Sequence, residues 1–83
     1  MKEIKINFED FNSPRELHEY LAEELCFPFY YGKNLDALYD CLTDLPEPLF
    51  VRLEGSAAFS KGFRRVFASA AGKKLVVSER YNG

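Results

Sequence analysis

The sequence predicts an α/β fold: a three-stranded parallel sheet packed with about three helices, in the order β-α-α-β-α-β. Three observations carry this. The opening "KEIKINF" alternates Ile4, Ile6 and Phe8 with polar residues, which is strand periodicity. The runs "PLFVRL" and "KKLVV" are nearly continuous in apolar residues, as interior strands are. The segments between these runs repeat at helical spacing, and strands separated by helices favour parallel pairing with right-handed crossovers. At 83 residues the chain makes one domain, residues 1–83. A domain of that size buries only about 60–65% of its unfolded surface. A hydrophobic fraction of 47% and an aromatic fraction of 16% are enough for a packed core and exclude general disorder.

The elements follow in order. After the first strand, "SPRELHEYLAEELCF" offers Ser13 as N-cap, Pro14 at the first helical position and Glu16 to complete a capping box. Leu17, Tyr20, Leu21 and Leu25 form its apolar face, and Pro28 ends the helix. "PFYYGKN" then reads as an exposed aromatic loop. Asn34 is placed to cap a second helix reaching about Thr43, with Leu35, Leu38 and Leu42 on the core side. "DLPEP" breaks the chain before the second strand. The last helix lies within "AFSKGFRRVFASAA", with Phe63, Val66, Phe67 and Ala70 on one face. Gly62 suggests a short separate turn at its start, and Gly72 is placed as its C-terminal cap. "KKLVVSE" closes the sheet. Internal repeats and low-complexity linkers are absent.

Composition narrows the chemistry. A formal net charge of −2 argues against a dedicated nucleic-acid binder and makes a basic partner easier to accommodate than an acidic one. The alternating N-terminus does not read as a signal peptide, and no apolar run reaches membrane-spanning length, so the expected address is the cytoplasm, without membrane contact. Cys26 and Cys41 read as small, mostly buried hydrophobic residues rather than a disulfide. Two cysteines and one histidine do not supply a common four-ligand zinc site. His18, amid charged residues and without a neighbouring nucleophile, reads as a surface histidine. Lys61, Arg64, Arg65, Lys73 and Lys74 could contact phosphate, but a solvated helix face with cations near its C-terminal end is the favoured reading. With no glycine-rich phosphate cradle either, no cofactor is expected.

One constellation stands out. On the second helix Asp36 and Asp40 fall opposite the leucine face, with Thr43 close to them and Tyr39 at the edge. Tyr30 and Tyr31 join them from the loop. Like charges at i and i+4 destabilise a helix by roughly a few tenths of a kcal/mol. Asp36 gains from the helix dipole; Asp40, beyond the first turn, gains little. The plainest reading is two solvated charges. A hydrolase using both carboxylates is a second reading, weakened by how little cleft a single helix face offers. The third is a surface that takes its positive charge from another molecule.

"FPFYYGKNLDALYDCLT" closely resembles the signature of the barstar family, intracellular inhibitors of barnase-type microbial ribonucleases. The resemblance extends more loosely through the first strand, "LHEYLAEEL", "PLFVRLE" and "VFASAA". It implies a barstar-like fold and an inhibitor, not an enzyme: a partner that is a basic barnase-type ribonuclease, bound one-to-one by a chain that is monomeric when free. It further implies that loop and second helix plug the nuclease active site. Asp40 would insert where the RNA phosphate sits, Asp36 would meet further basic groups, and Tyr30 would pack on the catalytic histidine. Gly32, Asn34, Leu35, Tyr39 and Thr43 match other contact positions. Acids at matching spacing then mimic the substrate of a site built for phosphates. The chain departs from the family pattern in four places. Ser69 stands where an acid on the last helix faces the nuclease, and Tyr39 where tryptophan is frequent. The segment between residues 53 and 63 is shorter, at the expense of one helix, and the tail "SERYNG" runs past the usual end. The Ser69 departure leaves open an alternative, a barstar-fold interaction module for a non-nuclease partner.

Overall fold

A computed structural model describes residues 1–79; residues 80–83, the end of the "SERYNG" tail, lie outside the described residues. The elements are β1 (Lys2–Asn7), a 3-10 turn (Phe8–Asp10), α1 (Pro14–Glu24), α2 (Leu35–Thr43), β2 (Leu49–Glu54), α3 (Ser60–Ala70) and β3 (Leu75–Glu79). The predicted order β-α-α-β-α-β is the observed one, and the stretch between β2 and α3 carries no helix of its own.

The three strands pair in parallel in the order β1-β2-β3, with Ile4 beside Val51 and Val51 beside Val77. Side chains alternate across a sheet, so this register gathers Ile4, Ile6, Leu49, Val51, Leu53 and Leu75 on one face. All six are buried, in one core with Leu17 and Leu21 of α1, Leu38 and Leu42 of α2, and Phe63 and Phe67 of α3. The opposite face is only partly covered. Phe50, Arg52 and Glu54 are half-buried there, and Lys5 pairs with Glu54 at 3.1 Å. The expectation of two interior strands therefore holds for β2 alone. β3 is an edge strand, with Val76 41% exposed, because a sheet of this order has a single central position.

The caps show how local sequence sets the helix ends. Ser13 Oγ accepts the Glu16 amide at 3.3 Å, as predicted, but Glu16 Oε2 reaches back to the Asn12 amide at 3.2 Å, one residue earlier than a capping box requires. α1 does not run to Pro28. It stops at Glu24, where Cys26 takes a left-handed φ of 54°. The Cys26 amide then donates to Glu23 and the Phe27 amide to Ala22 at 2.9 Å, a Schellman closure with cysteine in the usual glycine position. Cys26 is consequently exposed rather than buried, Cys41 is half-buried, and both thiols are free.

Gly62 is not a separate turn; it lies inside α3, where a Cβ would come within 2.9 Å of Leu35 Cδ1. The missing side chain lets the first residue of α2 approach α3 closely. Gly72 is not a left-handed cap either. α3 ends at Ala70 with an extended C-cap at Ala71, and the Gly72 amide donates to the Leu75 carbonyl at 2.9 Å. Among the described residues no helix is long and apolar enough to cross a membrane.

Candidate partner-binding surface

The loop after α1 is built from the inside out. The Tyr31 amide donates to the Pro28 carbonyl at 2.9 Å, closing a turn whose tip is Phe29 and Tyr30. Tyr31 itself points inward. It is buried, its ring lies 4.9 Å from that of Phe27, and its hydroxyl sits 2.6 Å from His18 Nδ1. Phe29 and Tyr30 are forced outward, 101% and 76% exposed. Two sequence expectations are corrected here: Tyr31 is not part of the exposed patch, and His18 is not a surface residue but only 3% exposed, its ring 4.8 Å from Phe63. Burial lowers the His18 pKa and raises that of the Tyr31 phenol, with the neighbouring Cys41 a lesser cause for the latter. Both are neutral groups that satisfy one another. His18 was legible in one respect, since it shares the face of Leu21 and Leu25 at i+3 and i+7.

Gly32 and Asn34 then set the entry into α2. A Cβ on Gly32 would lie 2.9 Å from Asn34 Nδ2. With hydrogen there instead, the Asn34 amide folds back on the Gly32 carbonyl at 3.3 Å while its Oδ1 caps the Ala37 amide at 2.8 Å. Lys33, between them, takes a left-handed φ of 52°. Leu38 and Leu42 face the core as predicted, but Leu35 is 37% exposed, resting against Gly62 with part of its side chain in solvent.

The polar side of α2 is as the spacing predicts. Asp36, Tyr39, Asp40 and Thr43 are all exposed. Among the described residues the ion pairs join Lys5 to Glu54, Arg15 and Lys33 to Glu19, and Arg64 to Glu79; none involves Asp36 or Asp40. Thr43 Oγ1 lies 3.0 Å from both the Tyr39 and Asp40 carbonyls. Its proton is therefore held inward, and its lone pairs remain for an outside donor. Tyr30 and Asp40 share a cleft of about 370 Å³ with Asp44 and Pro46. Gly32, Asn34 and Leu35 line a second hollow of about 640 Å³ against α1. Phe29 lies in the loop expected to be exposed and aromatic, and it is fully exposed. Asp44 was not anticipated; it sits beside predicted residues, and nothing in local periodicity marks it.

Two of the basic residues near the C-terminus are engaged within the chain. Arg64 reaches Glu79, Ser60 Oγ and the Gly55 carbonyl, with its guanidinium 4.8 Å from the Phe8 ring centre. Lys74 Nζ donates to the Leu45 carbonyl at 3.2 Å. No group of three or more metal-ligating side chains occurs among the described residues.

Two similarities bear on this surface. The Bacillus subtilis (strain 168) protein named "Putative ribonuclease inhibitor YrdF" is 49% identical over 55 residues, a match covering 63% of this chain and 60% of that protein. The family model Barstar (barnase inhibitor) matches residues 1–72, which takes in β1, both helices around the loop, β2 and all of α3. The chain belongs to the barstar family.

Proposed function

We propose that the chain is a cytoplasmic inhibitor that binds a basic, barnase-type ribonuclease one-to-one and blocks its active site. The observation that carries this is the pair Asp36 and Asp40, exposed on α2 and without a paired cation among the described residues, beside a projecting Tyr30. Desolvating two unpaired carboxylates is unfavourable unless the partner supplies positive groups at matching spacing. A nuclease active site does so, being built to hold phosphates. Asp40 takes the phosphate position, Asp36 meets further basic groups, and Tyr30 packs on the catalytic histidine. Gly32, Asn34, Leu35, Tyr39 and Thr43 complete the contact. The family membership and the relative's name support a ribonuclease as the target.

Titrating barnase-type ribonucleases with the protein while measuring RNA cleavage tests this. Stoichiometric loss of cleavage is expected, and Asp40→Ala is expected to weaken it more than Asp36→Ala or Tyr30→Ala. Absence of inhibition throughout the family at about micromolar protein, a level at which a specific interface of standard size is occupied, counts against the proposal. One observation favours a second reading, an interaction module for a non-nuclease partner: Ser69 is exposed on α3 and uncharged. A non-nuclease protein retained by the wild type and lost with Asp40→Ala would support it.

A further inference from the structure

We propose that the hollow where the N-terminal ends of α1 and α2 meet binds a phosphate-type oxyanion, held by Arg15, Lys33 and the second ring nitrogen of His18. The inference goes beyond the inhibitor reading and does not depend on it. The hollow is about 640 Å³ and is lined by Ser13 and Arg15 at the start of α1, by Asn34 and Leu35 at the start of α2, and by His18 and Lys33. Two of its lining residues are cations and none is an acid, although the chain as a whole carries a net charge of −2. Both helices are long enough to carry a dipole, and both turn its positive end to this space. Their caps, Ser13 and Asn34, take the Glu16 and Ala37 amides. The earlier amides of Arg15 and Leu35 have no acceptor within a helix.

The second observation is independent of the helix ends. His18 is 3% exposed, yet Tyr31 engages only its Nδ1, at 2.6 Å. Nε2 has no hydrogen-bond partner among the described residues, and none of their side-chain nitrogens or oxygens is both sealed from solvent and unbonded. Nε2 therefore reaches open space, and the hollow is the space that His18 lines. The proton on it follows from the pair. Burial above all keeps the Tyr31 phenol protonated, and among the described residues Nδ1 is its acceptor. Burial also keeps the imidazole neutral at neutral pH, so the one ring proton sits on Nε2, a tautomer assigned from this network. A nearly buried N–H that opens on a cation-lined hollow calls for an acceptor. Arg15 and Lys33 stand 3.7 and 4.0 Å from Glu19, too far for hydrogen bonds, so their donors remain for a ligand. An oxyanion with several acceptor oxygens can meet guanidinium, ammonium, helix amides and imidazole together.

The test is an NMR titration of the intact protein with inorganic phosphate at neutral pH and constant ionic strength, with adenosine monophosphate and sodium chloride in parallel. Saturable shifts at Arg15, His18 and Leu35 are expected, and the His18 Nε2 proton should move downfield as it gains an acceptor. Lys33→Gln should weaken binding at least about threefold. Glu19→Gln should strengthen it by about twofold or more, because the carboxylate that competes for both cations is gone. Tighter binding of the nucleotide would identify a phosphate monoester as the source of the anion, and equal binding would identify free phosphate. Non-saturating shifts, the same shifts with chloride, shifts shared evenly with Lys61 and Arg65, an unmoved His18 proton, or a response unchanged by Lys33→Gln would overturn the inference. Each of those results leaves the inhibitor reading, which is tested by RNA cleavage, untouched.

Discussion

α1 and α2 present acids to solvent in opposite ways. On α1, Glu19 is flanked by Arg15 at 3.7 Å and by Lys33 at 4.0 Å, so its charge is neutralised within the chain. On α2, Asp36 and Asp40 repel each other at i,i+4 spacing and meet no cation among the described residues. Only Asp36, in the first turn, gains from the helix dipole. The same side-chain chemistry therefore stabilises one helix and slightly destabilises the other. Unfavourable local electrostatics that a chain could remove by one substitution, but retains, are what a binding surface requires.

The sharpest way to break this comparison is Asp40→Asn. Inhibition should weaken by about 30-fold or more, the scale for truncating one member of a desolvated charge pair. Stability should stay level or rise slightly, since a repulsion and a dipole mismatch are both relieved. A fall in the denaturation midpoint with unchanged inhibition would reverse the roles assigned to the two helices.

Next in size is Tyr31→Phe, which acts on the support of the surface. It leaves His18 Nδ1 buried without its 2.6 Å partner, a loss of about 1–2 kcal/mol measurable by denaturant unfolding. The same pair makes stability depend on pH. Burial holds His18 below its ordinary value of 6.5, so the unfolded chain takes up a proton that the folded chain resists. The contribution is complete above 6.5 and is lost as pH falls from there through the folded value. The Tyr31 phenol, raised above 10, has the opposite sign: its contribution is present below 10 and is lost as pH rises beyond it. His18→Gln should flatten the acid limb; an unaltered limb would assign it to other groups.

The smallest effect is expected from Glu19→Gln. Removing an exposed acid between two cations should lower stability by no more than about 0.5 kcal/mol and leave inhibition within about twofold. A large loss of inhibition would move the binding surface toward α1.

The parts legible in the sequence were those governed by short-range rules. Ser13 and Asn34 cap the helices they were expected to cap, and the alternation of β1 and the exposed face of α2 follow from spacing alone. What was not legible depends on partners distant in the chain. His18 looks polar among its neighbours, and only Tyr31, thirteen residues on, makes its burial tolerable. Gly62 resembles a breaker until Leu35 is seen against it. An apolar run such as "LVV" cannot say whether it is central or at an edge, because sheet order is decided by the other strands. Cys26 replaces glycine in a left-handed cap, so the signal that usually marks a helix end was missing, and Pro28 drew the boundary too late. Asp44 lies past the end of α2, where helical periodicity stops carrying information, and only the shape of the cleft joins it to Tyr30 and Asp40.

The central claim is that the acids of α2, which meet no cation among the described residues, are held for cations of another protein. Association kinetics with a basic, barnase-type ribonuclease, followed across ionic strength for the wild type and for Asp36→Asn/Asp40→Asn, test it most directly. Wild-type association should slow by about tenfold or more between low and physiological salt, and the double variant should lose most of that dependence. Equal salt slopes for the two proteins, or no association of the wild type at low salt, would contradict the account.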